Sequence, residues 1–189
     1  MTHHFFFLIC ALLALQPLQA QEIRPGQLAD AGIEIQAYPT GIIPGLRFAL
    51  ALGPQDALHL RLGYNFIRHR DLGVHQDERG DGWGFSLGYR HYFSKGLQGW
   101  FLGLRDDTWF NQLDWRDNID QADEVSGSTR IIVVQPTAEG GYLFESGNGK
   151  WGFAPSVAFG FEINVKTEGA EVGQGAILLI GIGFSRRGK

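Results

Sequence analysis

The chain of 189 residues has one cysteine, one methionine, and no apolar run long enough to cross a bilayer as a helix. A lone Cys10 excludes a disulfide within the chain, so stability must come from packing and backbone pairing. Basic residues are not in excess: 16 Lys and Arg face 20 Asp and Glu, for a net charge of −4. That balance speaks against nucleic acid as a partner. No segment spaces its apolar residues three and four apart, so amphipathic helices are missing too. Neither a cofactor motif nor a metal-ligand motif stands out.

The opening "MTHHFFFLICALLALQPLQA" contains no Lys, Arg, Asp or Glu. Its apolar core from Phe5 to Leu15 is too short to span, and Gln16-Pro17 ends it. With Leu18-Gln19-Ala20 as a small-residue cleavage site, residues 1–20 read as a secretory signal peptide. His3 and His4 replace the usual basic residues, and Ile9 before Cys10 does not suit a lipoprotein anchor. Residues 21–31 read as a periplasmic lead-in and 32–189 as one domain.

What is abundant is glycine, 27 residues and about twice the ordinary share, together with alternation at period two. In residues 151–166 the odd positions are Trp151, Phe153, Pro155, Val157, Phe159, Phe161, Ile163 and Val165. The even ones are Gly152, Ala154, Ser156, Ala158, Gly160, Glu162, Asn164 and Lys166. Side chains of a strand alternate between two faces, so one face is bulky and apolar, the other small or charged.

Eight such stretches occur, at 32–38, 45–53, 57–68, 83–93, 99–111, 129–145, 151–166 and 175–186. Most reach the roughly 9–11 residues that a tilted strand needs to cross a bilayer. Connections at 53–56, 94–98 and 146–150 are tight turns, whereas 70–82, 113–128 and 167–174 are longer and polar; 39–44 is short. The pattern predicts an all-β fold: an eight-stranded antiparallel up-and-down transmembrane β-barrel with short periplasmic turns and longer extracellular loops.

A soluble lipocalin-like carrier would also alternate, with its apolar face inward and Lys, Glu, Thr and Gln on a hydrated exterior. Here the second face is Gly, Ala and Ser with isolated charges, which suits the narrow interior of an eight-stranded barrel. The interior charge set is Glu34, Arg47, Arg61, Arg90, Arg105, Asp107, Glu139 and Glu162, a neutral network expected to plug the lumen. Phe93, Trp100, Phe144, Trp151 and Phe184 fall at the short-turn ends, where one membrane-interface girdle would lie. Tyr64, Phe66, Trp83, Trp109 and Phe110 lie toward the other rim. Two prolines, Pro136 and Pro155, interrupt strands and call for bulges or gaps. Strict alternation points Asp106 toward lipid, so a bulge near 105–107 is expected to turn it inward.

The stretch "GFSLGYRHYFSKGLQGWFLGL", residues 84–104, resembles a hairpin of the small OmpX/OmpA-type outer-membrane β-barrels, especially the compact Bacteroidetes-like ones. The closing "AILLIGIGF" resembles their alternating, aromatic-ended last strand, although residues 185–189 follow the aromatic here. The resemblance implies the barrel fold, an outer-membrane location in a Gram-negative cell, and recognition by the outer-membrane assembly machinery. Lipid and lipopolysaccharide are the implied surroundings, with a single copy as the working unit.

Some small outer-membrane barrels act on lipid A or as proteases, and a nucleophile there needs a base within reach. The histidines beyond the opening segment are His59, His69, His75 and His91, and none forms a His-x-Ser or Asp-x-His pair. Asp106-Asp107 could pair only if bulged; with a histidine at the outer rim they would favour the enzyme. No catalytic residue and no cofactor is assigned, and the expected role is structural or surface-interacting through the extracellular loops. Two loop motifs are minor readings. Arg79-Gly80-Asp81 matches the tripeptide of integrin ligands. The acidic run Asp114, Asp117, Asp120, Asp123 and Glu124 could hold Ca²⁺ weakly, though its spacing of three departs from an alternate-position loop.

Overall fold

A computed structural model describes residues 24–188; the signal-peptide expectation for 1–20 lies outside them. Eight antiparallel strands close into one barrel in sequence order: β1 (Leu28–Tyr38), β2 (Gly41–Ala51), β3 (Asp56–Arg70), β4 (Asp77–Ser94), β5 (Gln98–Asp117), β6 (Val125–Glu145), β7 (Trp151–Glu168) and β8 (Gly175–Arg187). β1 and β8 complete the ring through pairs such as Ile33 with Phe184 and Ile35 with Ile182. Every strand therefore has two neighbours, and no edge is left unpaired.

The sides follow the alternation. Leu104 is 66% exposed and Ile180 59%, on the outer surface, while Trp109 is fully buried inside. A carrier with its bulky apolar face turned inward is the opposite arrangement, and that reading is corrected. Inward glycines stand beside the largest inward groups. A Cβ at Gly84 would lie 2.3 Å from the Trp109 ring, one at Gly183 2.6 Å from the Arg47 guanidinium, and one at Gly141 2.6 Å from Phe101. Small residues line the lumen because eight strands leave room for only a few large side chains.

Three sequence expectations are corrected in detail. The polar stretches 70–82 and 113–128 are largely strand, so the connections shrink to 71–76 and 118–124. The ladder continues through Arg68–Arg79, His69–Glu78 and Arg70–Asp77, because polar residues lose nothing by pairing their backbones above an apolar belt. The Arg79-Gly80-Asp81 tripeptide thus lies in β4 instead of at a loop tip. Arg79 is bonded to Asp77 (3.1 Å), and Asp81 accepts from the Tyr64 hydroxyl (2.6 Å). β1 also starts at Leu28, taking four residues from the presumed lead-in.

The third concerns Asp106. Register runs unbroken through Arg105–Gly88, Asp106–Leu87 and Asp107–Ser86, so no bulge turns Asp106 inward and it faces out. The prolines do interrupt pairing, both in the β6–β7 seam. Pairing there skips Gln135 and Pro136, and again Tyr142 and Leu143 opposite Pro155 and Ala154.

Candidate functional site

The lumen is filled in three layers. At the short-turn end Tyr92, Leu97, Phe101 and Leu143 pack with small alanines. Turn 95–97 folds inward there: Leu97, at φ 52°, is buried, and Gly96 N–H donates to the Pro54 carbonyl of the neighbouring turn (2.9 Å). Toward the other end, Ile43, Trp109, Leu113, Ile131, Val133 and Leu179 form a second apolar layer.

Charges occupy the middle. Glu34 is the hub, with Arg61 at 3.3 Å, Arg105 at 3.4 Å, Arg90 at 3.7 Å and Arg47 at 3.9 Å. Asp107 takes Arg105 (3.0 Å) and Arg61 (3.3 Å), and Glu139 holds Arg90 by two contacts with Arg105 at 3.5 Å. Arg61 also donates to Gln36 and Ser86. The layers interlock, since the Arg61 guanidinium lies over Trp109 (5.4 Å) and that of Arg90 over Phe101 (4.4 Å).

Seven of the eight predicted charges meet in this network; Glu162 does not. Its Oε2 accepts from Gln135 Nε2 (2.6 Å), and among the described residues no lysine or arginine pairs with it. Glu162 sits nearer the outer end of β7 than the arginines reach. Conversely, Asp30 and Arg187 are buried members that alternation missed: Asp30 pairs with Arg47 (3.1 Å) and Arg187 (3.5 Å). Asp30 fell in the presumed lead-in and Arg187 in the tail after the last aromatic, so neither was assigned to a strand.

Outside, Phe93, Trp100, Phe144, Trp151 and Phe184 are all exposed. Ring contacts run from Trp100 through Tyr142, Phe144 and Phe153 to Phe184, at centroid spacings of 4.4–6.1 Å. At the opposite rim Trp83 stacks on Phe110 (4.5 Å) and Tyr64 meets Phe66, whereas Trp109 turns into the lumen.

Histidine–carboxylate pairs exist, but register makes them, not local spacing. His91 meets Asp56 (2.8 Å) directly across the β3–β4 ladder, and His69 meets Glu78 (3.2 Å) in the same way. The hydrogen bonds from the Tyr89 hydroxyl and from His91 hold the Asp56 carboxyl, beside the short turn, below the usual carboxylate range. His75 is stacked on Trp115 (4.1 Å), with Nδ1 on Asp117 (2.7 Å) and Nε2 on the Glu171 carbonyl (3.0 Å). That residue ties connection 71–76 to the end of β5 and to connection 169–174. The His75 hydrogen bond, joined by the Gln76 amide, lowers the Asp117 carboxyl.

Among the described residues no serine or threonine hydroxyl is hydrogen-bonded to a histidine. Asp106 and Asp107 lie on opposite faces of β5, and neither is paired with a histidine. The acidic run is dispersed as well. Asp117 serves His75, Asp123 accepts from Asn118, and Glu124 reaches Arg116 (3.8 Å). No group of three or more His, Cys, Asp or Glu with metal-holding geometry occurs among the described residues.

Above the second apolar layer a cavity of about 650 Å³ remains, rimmed by connections 71–76 and 169–174. Tyr38, His69, Glu78, Glu162 and Asn164 supply its polar lining. Sequence reasoning did not foresee it, since it depends on how far β4–β7 rise beyond β1 and β2.

No family model and no curated protein matches the chain. Among solved structures it is similar to the N-terminal β-barrel domain of Pseudomonas aeruginosa OprF, with a TM-score of 0.49 and 12% identity, covering 86% of this chain and 99% of that one. It is also similar to Neisserial surface protein A (NspA), with a TM-score of 0.46 and 10% identity, covering 85% and 95% respectively.

Proposed function

We propose that the protein is a non-conducting outer-membrane barrel whose role is structural or surface-interacting, exerted through the hairpins and connections at its long end. The observation that carries this reading is the inverted distribution of polarity. Large apolar side chains cover the outside of the cylinder, and a paired charge layer lies inside between two apolar layers. In water such an exterior would drive association; in lipid it is the stable side, and closure satisfies every strand. The aromatic ring at the short-turn end fits a bilayer interface on the periplasmic side.

The surroundings on this reading are outer-membrane lipid and, on the outer face, lipopolysaccharide. The alternating β8 is what the assembly machinery would engage, and one copy suffices because no strand edge seeks a partner. Cell fractionation combined with gel migration before and after heating tests it. The protein is expected in the outer membrane, migrating differently unheated, and giving no steady conductance in planar bilayers. A soluble periplasmic product without a heat shift overturns the location, and stable channels overturn the plug.

A further inference from the structure

We infer that the outer cavity is a binding site for a small organic cation, an ammonium on an apolar body. The lining contains Glu78, Glu162 and Glu171 but no lysine or arginine; His69 is its one basic side chain. Glu78 is already satisfied by His69 (3.2 Å) and by the backbone amides of Val74 (3.1 Å) and His75 (3.0 Å). Glu162 is not: the Gln135 amide fixes one of its oxygens, and no cationic side chain answers its charge. Burial penalises the charged form of a carboxyl held in that way, and a bound cation offsets that penalty.

Two further polar side chains border the cavity. His69, more than nine-tenths buried, directs Nε2 at Glu78 and leaves Nδ1 without a partner. Asn164 shares its face of β7 with Glu162, two positions away. Its Nδ2 donates to the Val172 and Gly173 carbonyls (both 3.3 Å), which leaves Oδ1 buried and unpartnered. The Tyr38 hydroxyl, by contrast, is spent on Asn65 (2.7 Å). The site therefore offers the Glu162 carboxylate, which has no lysine or arginine partner among the described residues, and an ammonium brings the complementary charge and its own donors. Ile67, Leu113, Ile131, Val172 and Ile177 wall the remainder, so the body of the ligand is apolar. The volume lies within the roughly 300–1,000 Å³ of ordinary small-molecule pockets. The opposite end of the lumen is closed by the interlocked turns, so entry is from the long end.

The test is isothermal titration of the full barrel, folded in lipid nanodiscs, with n-hexylammonium and with the isosteric 1-hexanol. Saturable amine binding is expected, about tenfold or more tighter than 1-hexanol, the alcohol of equal heavy-atom count, as a charge-assisted contact predicts. Glu162→Gln should erase that preference, and Asn164→Lys, which places an internal ammonium in the cavity, should abolish amine binding. Glu168→Gln, an exposed residue paired with Lys166, should change nothing. Unheated gel migration identifies folded variants, so either cavity variant alone can decide. Equal binding of amine and alcohol, no saturable binding, or a folded Glu162→Gln or Asn164→Lys variant that binds like the parent overturns the inference.

Discussion

Gly160 faces the Pro136 carbonyl across the β6–β7 seam so closely that a Cβ on the glycine would lie 2.0 Å from that oxygen. The seam closes only because no side chain intervenes where the proline has removed a ladder donor. Gly160→Ala is expected to destabilise the barrel by about 1–3 kcal/mol, the range for forced overpacking. Gly53→Ala, whose Cβ meets only the Asp56 carboxylate at 3.5 Å, should be near neutral. Urea unfolding of the two variants in the same lipid or detergent checks the contrast; similar losses would mean that the seam is not constrained in this way.

The adjacent aspartates of β5 should respond in opposite directions. Asp106 lies on the outer surface opposite Leu87 and Pro136, so Asp106→Leu removes a carboxylate from the apolar belt and should stabilise the protein by about 1–2 kcal/mol in a bilayer. Asp107→Leu instead takes one carboxylate from both Arg61 and Arg105, leaving the lumen with an excess positive charge, and should cost about 3 kcal/mol or more. Equilibrium folding into lipid vesicles measures both.

Removing the hub should weaken the barrel without opening it. Glu34→Gln leaves four arginines without their shared carboxylate and is expected to lower stability by about 3 kcal/mol or more. The layers built on Trp109 above and on Phe101 and Leu97 below are untouched, so planar-bilayer recordings should still show no steady channel. Conductance in that variant would mean that the charges alone are the plug.

Acid should loosen the long end through Asp117. Its carboxyl is lowered in the folded state, so it contributes stability above the ordinary value near ~3.9 and loses it as pH falls through the lower folded value. Proteolysis within 71–76 and 169–174 is expected to stay slow from pH 7 to 5 and to rise below about pH 4. Asp117→Asn should raise it at every pH.

Much of the architecture was legible in the chain, and the reasons are local. Bulky and small residues alternate strictly in 83–93 and 151–166, and a strand has no other way to present them than on two faces. Strand ends were harder, because the polar residues of 77–82 and 113–117 look the same paired or looped once they stand clear of the apolar belt. Asp30 and Arg187 were missed for the same reason. The two lumen layers were hidden too: Ile43, Leu113 and Ile131 lie on the small-residue face, and only closure shows that they stack into one plane.

Period-two patterning by itself decided that this chain makes eight strands, and which side of each is wet, greasy or cramped, because those properties follow from neighbours along one backbone. Register decided the rest. Which carboxylates gather around Glu34's arginines, why Glu162 is left without a cation, and where His75 and His91 meet their acids depend on residues tens of positions apart being drawn level by strand pairing. Spacing within a single strand carries only the Arg105–Asp107 contact of that network.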